Sequence, residues 1–513
     1  MLPNFILPLI GVIIVVFIAF YGFTTQGYFV HLSLLVAPIF VFLVNQPSIW
    51  FILILAVSRS GLIFPGLPQG LQVAHVLMFG LTALLFARNI IEKKSRGKRD
   101  LSDYFLIAFI AVILITAMTR GFGLRALGSG GWGGMSYIKL FITSSFLLMV
   151  KSLHITDRQF QKALYAMLVL STLPALSQIV FTFSGGRIYH QYMFIEAYVG
   201  GLISSLQAAE GGGTIRLHML GSVAMIVMMI GMILIPNKDI VTRTLRIMTI
   251  ILAIGLAALS GFRGQIITII GTLILITFLQ GSGNYARRSM MLLGVGLVGL
   301  LLLYPMIPFL PASMQRSFSW LPFAPIPWDI KYEANYSATT RFLVWEMAWK
   351  EIPQYLLVGK GFIVNPMDVM ALTVRQDWAL SAFISHNYHS GPISLLLDTG
   401  LFGFLFGSLF LITTCVEMFK RLKHVVGPPI LRRAYIFFLA SHLFMVPSYY
   451  IIFGDVKESF PFIFVNLAVM NVLYNSALQG SRKDSSASTE EQHVPLRMSE
   501  RVRVNSVYSS KRG

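Results

Sequence analysis

Apolar residues along this chain come in long runs rather than at the alternating spacing of a half-buried helix or strand. Ile6 to Phe20, Val73 to Phe86, Phe105 to Met118, Phe160 to Val180, Ser222 to Ile235 and Met290 to Leu310 are mostly Leu, Ile, Val, Phe and Met. With flanking small residues added, each approaches the roughly 17–25 residues a helix needs to cross a bilayer. The pattern predicts an all-α protein: a polytopic transmembrane helical bundle of about 14 spans, with about 12 as the lower count. The opening residues, Met1 to Ile10, carry no positively charged leader and no small-residue cleavage site, so the first run is expected to stay in the membrane.

Two stretches are too long for one span. A straight helix over Ile247 to Leu279 would extend about 50 Å, against a hydrocarbon core of about 30 Å. It is therefore expected to be a hairpin of two helices, turning at Gly261 or Gly264 within SGFRGQ and placing Arg263 at the membrane boundary. Phe29 to Ile63 is split on the same argument.

Composition supports this and narrows it. Of the 513 residues 12% are charged, about half the share in soluble domains. The net charge of +19 is not a nucleic-acid signal here, because its distribution fits membrane topology. If the loop Glu92 to Asp100 is cytoplasmic, alternation puts five further basic segments on the same side: Lys151–Lys162, Asn237–Arg246, Gly281–Arg288, Glu417–Arg433 and the tail. Together with Arg88 they hold 26 of the 40 Lys and Arg residues, as the positive-inside rule requires. Both termini then lie in the cytoplasm. The single cysteine, Cys415, excludes an internal disulfide or a Cys-based metal site.

The expected organisation is a transmembrane domain over 1–479 and a Ser-rich, charged, disordered cytoplasmic tail over 480–513. Four regions face outward: the glycine-rich loop 121–134, a loop from Ser184 to about Arg216, the Arg263 turn, and an extracytoplasmic loop over about 311–390. The last holds five of the seven tryptophans. Within it, Thr340 to Ile352 reads as a surface helix capped by Thr340 and stopped after Pro353. Phe342, Trp345, Trp349 and Ile352 are expected to form its apolar stripe.

Candidate chemistry gathers on that outer side. The glycine-rich loop lacks the Gly-Lys-Ser/Thr of a phosphate-binding P-loop, and the first outer loop, Gly22 to Val30, has no carboxylate. No catalytic metal and no cofactor are expected. Arg263 at a tight inter-helix turn suits a phosphate or diphosphate ligand, or alternatively anchors at lipid headgroups. Arg341 at a helix start would add charge where an anion binds. His386 and His389 precede a membrane-entering helix that carries Asp398, and a histidine can act as general base near neutral pH; both histidines can equally be interfacial polar residues.

Taken together, these elements resemble the O-antigen ligase and O-antigen polymerase superfamily. The matching features are Ser260-Gly-Phe-Arg263-Gly264 at a helix turn; Arg341 with Trp345, Pro353 and Gly359-Lys-Gly361; and His386-Asn387 followed by Asp398 and Gly400-Leu401-Phe402-Gly403. The similarity covers about 259–410. The family spaces its histidine about nine residues before its acid. His389 meets that spacing but is followed by Ser390, whereas His386 is followed by Asn387 at a spacing of twelve. His389 is preferred and His386 is second.

The resemblance implies a metal-independent membrane glycosyltransferase at the outer face of the bacterial cytoplasmic membrane. Its donor would be a glycan on undecaprenyl diphosphate, and its acceptor another glycan or lipid A core. Membrane lipids and other polysaccharide assembly proteins would be partners, and nucleic acid would not. Arg263 and Arg341 would stabilise the leaving diphosphate and His389 would take the acceptor proton. Arg120, Arg125, Arg187, Arg216, Asn387 and Asp398 would contact substrate. Ligase and polymerase stay open. The rival readings are a multi-pass transporter or lipid-linked glycan flippase, and a non-enzymatic envelope scaffold. Repeated halves and polar residues at the bilayer midplane would favour transport; no repeat is visible.

Overall fold

A computed structural model describes residues 45–62, 71–92, 99–122, 133–184, 214–280, 301–364 and 378–492 apart from 427, with isolated positions between 290 and 299. Among these residues the chain is helical, with no strand. In chain order the α-helices are α1 Pro47–Val57, α2 Val73–Ile91, α3 Leu101–Arg120, α4 Gly134–Met149, α5 Asp157–Phe183, α6 His218–Ile233 and α7 Ile240–Leu259. They continue as α8 Arg263–Gln280, α9 Ala312–Ser317, α10 Trp328–Tyr355, α11 Trp378–Ile384, α12 Gly391–Arg421, α13 Pro429–Ile451 and α14 Val456–Gln492.

Eight helices among the described residues are long and apolar enough to cross a membrane: α2, α3, α5, α7, α8, α12, α13 and the first part of α14. The larger number expected from sequence includes spans in residues 1–44, which lie outside the described residues. The bundle is built around α14, whose most apolar window is 72% buried, while that of α7 is 11% buried and so faces outward. α14 packs on α4 and α13, α12 on α3, α8 on α13, and α7 on α6. Exposed Phe79, Ile115, Met118, Ile251 and Leu252 on the perimeter helices are the surface a bilayer would cover.

Charged residues pair at one end. Asp100 accepts from Lys151 at 2.8 Å and from Arg421 at 2.5 Å, and Asp103 accepts from Lys151 at 2.6 Å. The sequence places these segments on one side of the membrane, and their ion pairs put them at one end of the bundle. At the opposite end lie the Ser260 turn, α10 and the histidine loop.

Two boundaries differ from the sequence reading. The helix expected over Thr340 to Ile352 runs from Trp328 to Tyr355. Thr340 is interior, its hydroxyl donating to the Tyr336 carbonyl at 2.9 Å rather than capping, and Pro353 falls inside the last turn. Arg341 is therefore mid-helix, and the helix-dipole argument for an anion there does not hold. The expected stripe also changes. Val344, Ala348 and Ile352 are buried, whereas Phe342 and Trp349 are exposed. Helix α14 continues to Gln492, into the stretch read as tail; residues 493–513 lie outside the described residues.

Candidate active site

The predicted hairpin is present, and its turn positions Arg263. α7 ends at Leu259 and α8 begins at Arg263. Gly261 between them sits at φ +76°, where glycine avoids the steric penalty of a side chain. The turn is pinned from outside: Leu217 N–H donates to the Ser260 carbonyl at 3.2 Å, and Arg316 Nη1 to the Gly261 carbonyl at 3.0 Å. Arg263 Nη2 then reaches across to the Ala334 carbonyl of α10 at 2.8 Å.

The neighbouring residue Glu333 gathers the surrounding cations. Its carboxylate accepts from Arg216 Nη2 at 2.6 Å and from the Thr214 N–H at 3.0 Å. Arg316 Nε lies 3.2 Å from it without a hydrogen-bond alignment. Burial would raise the Glu333 carboxyl, but the Arg216 and Thr214 bonds outweigh that and hold it below its usual range. Burial, then Arg216, lowers the Arg316 guanidinium to about 10. Among the described residues, neither Arg263 nor Arg341 forms an ion pair with a carboxylate.

Helix α10 carries this cluster toward the histidines. Ala334, Arg341 and Trp345 fall on one face: seven residues span about 10 Å of helix axis and the next four about 6 Å. Trp345 Nε1 donates to the Tyr388 carbonyl at 2.8 Å, adjacent to His389. Arg341 therefore lies between the Arg263 contact and the His389 contact, and its field is felt at both. Burial, then Arg263, lowers the Arg341 guanidinium. Burial, then Arg341, pushes the His389 imidazole down to about 4.

The two histidines have different environments. Both sit at positive φ, 56° for His386 and 54° for His389, a region unfavourable to side chains and common where a site stores strain. His386 is buried with both ring nitrogens engaged. Nδ1 lies 2.7 Å from Asp398 Oδ1, and Nε2 lies 3.1 Å from the Ile363 carbonyl, to which it must donate. Tyr388 Oη sits 3.0 Å from the same Nδ1, and Ser394 Oγ donates to Asp398 at 3.0 Å. This closed set holds the loop and leaves no nitrogen to accept a substrate proton. The His389 ring packs against Phe453 at 4.9 Å between centroids, and its Nδ1 has no hydrogen-bond partner among the described residues.

Backbone contacts interlock the second and third sequence elements. Lys360 N–H donates to the Leu397 carbonyl at 2.7 Å, Gly361 N–H to the Asp398 carbonyl at 3.0 Å, and Leu401 N–H to the Leu356 carbonyl at 2.6 Å. Gly400 breaks α12 with φ 73° and ψ −175°. A Cβ on Gly359 would lie 2.5 Å from the Asp398 carbonyl oxygen, and one on Gly400 2.6 Å from that of Leu357. The glycines permit this close approach, which sets the histidine loop against α10.

The other expected contact residues divide. Arg216 belongs to the Glu333 cluster. Arg120 Nε donates to the Gly359 carbonyl at 2.9 Å with its guanidinium 5.0 Å over Tyr355, which ties it to the glycine turn rather than to the other arginines. Asp398 is 1% exposed and enclosed by His386, Tyr388 and Ser394, so its contacts are positional. Asn387 bonds through its N–H to the Ala382 carbonyl, and its buried side-chain oxygen has no hydrogen-bond partner among the described residues. Arg125 and Arg187 lie outside the described residues. Sequence reading missed Arg316, Glu333, Tyr388 and Phe453. Pro327 followed by an acidic first turn at Asp329 was an available signal for a longer α10.

A comparison with protein-family models gives no match, and no curated protein matches the chain.

Proposed function

We propose that the chain is a membrane glycosyltransferase of the O-antigen ligase and polymerase type. It transfers or polymerises a glycan carried on undecaprenyl diphosphate at the outer face of the bacterial cytoplasmic membrane. On this reading the bundle has about 12–14 spans, with the Ser260 turn and the histidine loop facing the periplasm.

The observation that carries the reading is the pairing of charge with a partnerless base. Arg263 and Arg341 have no carboxylate among the described residues, and beside them His389 has an unbonded ring nitrogen. Two cations held apart from acids are costly in a bundle unless an anion joins them. A diphosphate is a suitable anion, and guanidinium groups match its oxygens.

The chemistry follows from that arrangement. The acceptor hydroxyl oxygen attacks the anomeric carbon of the donor, forming a new C–O bond. The bond from that carbon to the diphosphate oxygen breaks, and its electron pair stays on the diphosphate. Arg263 and Arg341 stabilise the added negative charge. The hydroxyl proton passes to His389 and then to solvent. In the free protein His389 is a weak base, because burial and Arg341 disfavour its cation. A bound diphosphate offsets the field of Arg341, so the base strengthens when donor is present.

The test in cells is the surface glycan of a strain lacking this chain. Single unpolymerised repeats identify a polymerase, and polymer left on carrier lipid identifies a ligase. An unchanged surface polysaccharide would defeat the proposal. Accumulation of carrier-linked glycan on the cytoplasmic side would instead indicate a flippase.

A further inference from the structure

A second group of cations lies inside the bundle, away from the Arg263–His389 cluster. Arg59 follows α1, His75 begins α2, and Lys139 lies in the first turns of α4. All three line a cavity of about 180 Å3. Arg59 stacks over the Phe462 ring at 4.1 Å and pairs with no carboxylate among the described residues. Lys139 is 8% exposed, and its nearest acid is Glu458 at 3.7 Å, a half-exposed carboxylate that also lines the cavity. His75 Nδ1 accepts from the Gln72 N–H at 3.3 Å, which leaves Nε2 as the donor of the neutral ring.

Two cations and a donor therefore face one carboxylate that is too distant for a tight hydrogen bond. Ionisable groups inside a membrane bundle mark ligand paths more often than packing. A second cavity, of about 580 Å3, shares Arg59, Glu458 and Phe462 with the first. It extends to Phe262 and Gly264, on either side of Arg263, and to Phe453, on which His389 packs. Arg59 thus borders the same space as the two neighbours of Arg263 in sequence and as Phe453, on which His389 packs.

We propose that Arg59, Lys139 and His75 form a second anion site that holds the diphosphate of a polyprenyl-linked acceptor while the donor diphosphate occupies Arg263 and Arg341. The identity of the occupant rests on the glycosyltransferase reading; the existence of the anion site does not. Occupation of both sites would hold two carrier-linked glycans in one bundle, which polymerisation needs and which transfer to an acceptor without a lipid diphosphate does not.

Equilibrium binding of a radiolabelled short-chain polyprenyl diphosphate to the purified full chain tests this. The wild type should take up two equivalents. Arg59→Gln with Lys139→Gln should weaken one of them at least about tenfold, and Arg263→Gln with Arg341→Gln should weaken the other. Arg59→Lys, which keeps the charge, should retain both. One equivalent in the wild type overturns the proposal even if the double variant misfolds, as do two undiminished equivalents in that variant. Inorganic diphosphate that fills the second site as tightly as the lipid removes the acceptor assignment. Two equivalents in a protein that transfers no glycan would support this site while defeating the glycosyltransferase reading.

Discussion

The Trp345 indole N–H donates to the Tyr388 carbonyl across 2.8 Å and so fixes the backbone beside His389 to the helix face that carries Arg341. Trp345→Phe keeps a ring but removes the donor. Misplacing a reacting group by about 1 Å costs on the order of a hundredfold in rate. The variant should therefore fold and elute normally, yet lose about tenfold or more in transfer rate. An unchanged rate would show that the bond does not position His389.

The two histidines should separate stability from activity. His386→Ala leaves Asp398 buried without its nearest partner, which costs about 1–3 kcal/mol, so thermal unfolding in detergent should shift down. His389→Ala removes a ring whose Nδ1 bonds to nothing among the described residues. Its unfolding temperature should barely move while transfer falls by about a hundredfold or more. Equal destabilisation by both substitutions would contradict the different roles assigned to them.

Protonation of His389 gives a pH dependence of known sign. Its folded value is pushed down to about 4, below the ordinary histidine value near 6.5. Between those limits the unfolded chain binds a proton that the folded chain excludes. Stability from this group is therefore intact above about 6.5 and lost as pH falls toward about 4. The acid limb of kcat/KM should lie near the lower value, since it reports free enzyme, and that of kcat should lie higher because bound diphosphate offsets Arg341. A kcat limb at or below the kcat/KM limb would contradict this coupling.

Close backbone approach predicts strong effects at Gly359 and Gly400. Each combines a positive φ with a would-be Cβ contact below 3 Å to a carbonyl oxygen. Gly400→Ala should destabilise by about 2 kcal/mol or more and lower activity by displacing the loop of His386 and His389. Gly255→Ala is the control, since its Cβ would meet nothing within 4 Å.

Much of this was legible in the sequence, for identifiable reasons. The α7–α8 hairpin followed from length alone, because no bilayer accommodates a straight helix of that extent. The common end of the Asp100, Lys151 and Arg421 segments followed from charge. Helix α10 was cut short because Thr340 and Pro353 look like boundary signals; contacts at Glu333 and Ala334 hold the turns that precede Thr340. The stripe of α10 was misjudged for a related reason. Phe342 and Trp349 face outward while the small Ala348 packs. The spacing that favoured His389 picked the histidine whose buried Nδ1 has no hydrogen-bond partner among the described residues, but it could not reveal that His386 and Asp398 bond to each other across a turn.

The most direct measurement follows a polyprenyl diphosphate-linked oligosaccharide incubated with the purified protein, alone and with lipid A core as acceptor. One polyprenyl diphosphate should be released for each glycosidic bond formed, and both products should be lost together in His389→Ala and in Arg263→Gln. No release by the wild type, or a full rate in His389→Ala, would contradict this.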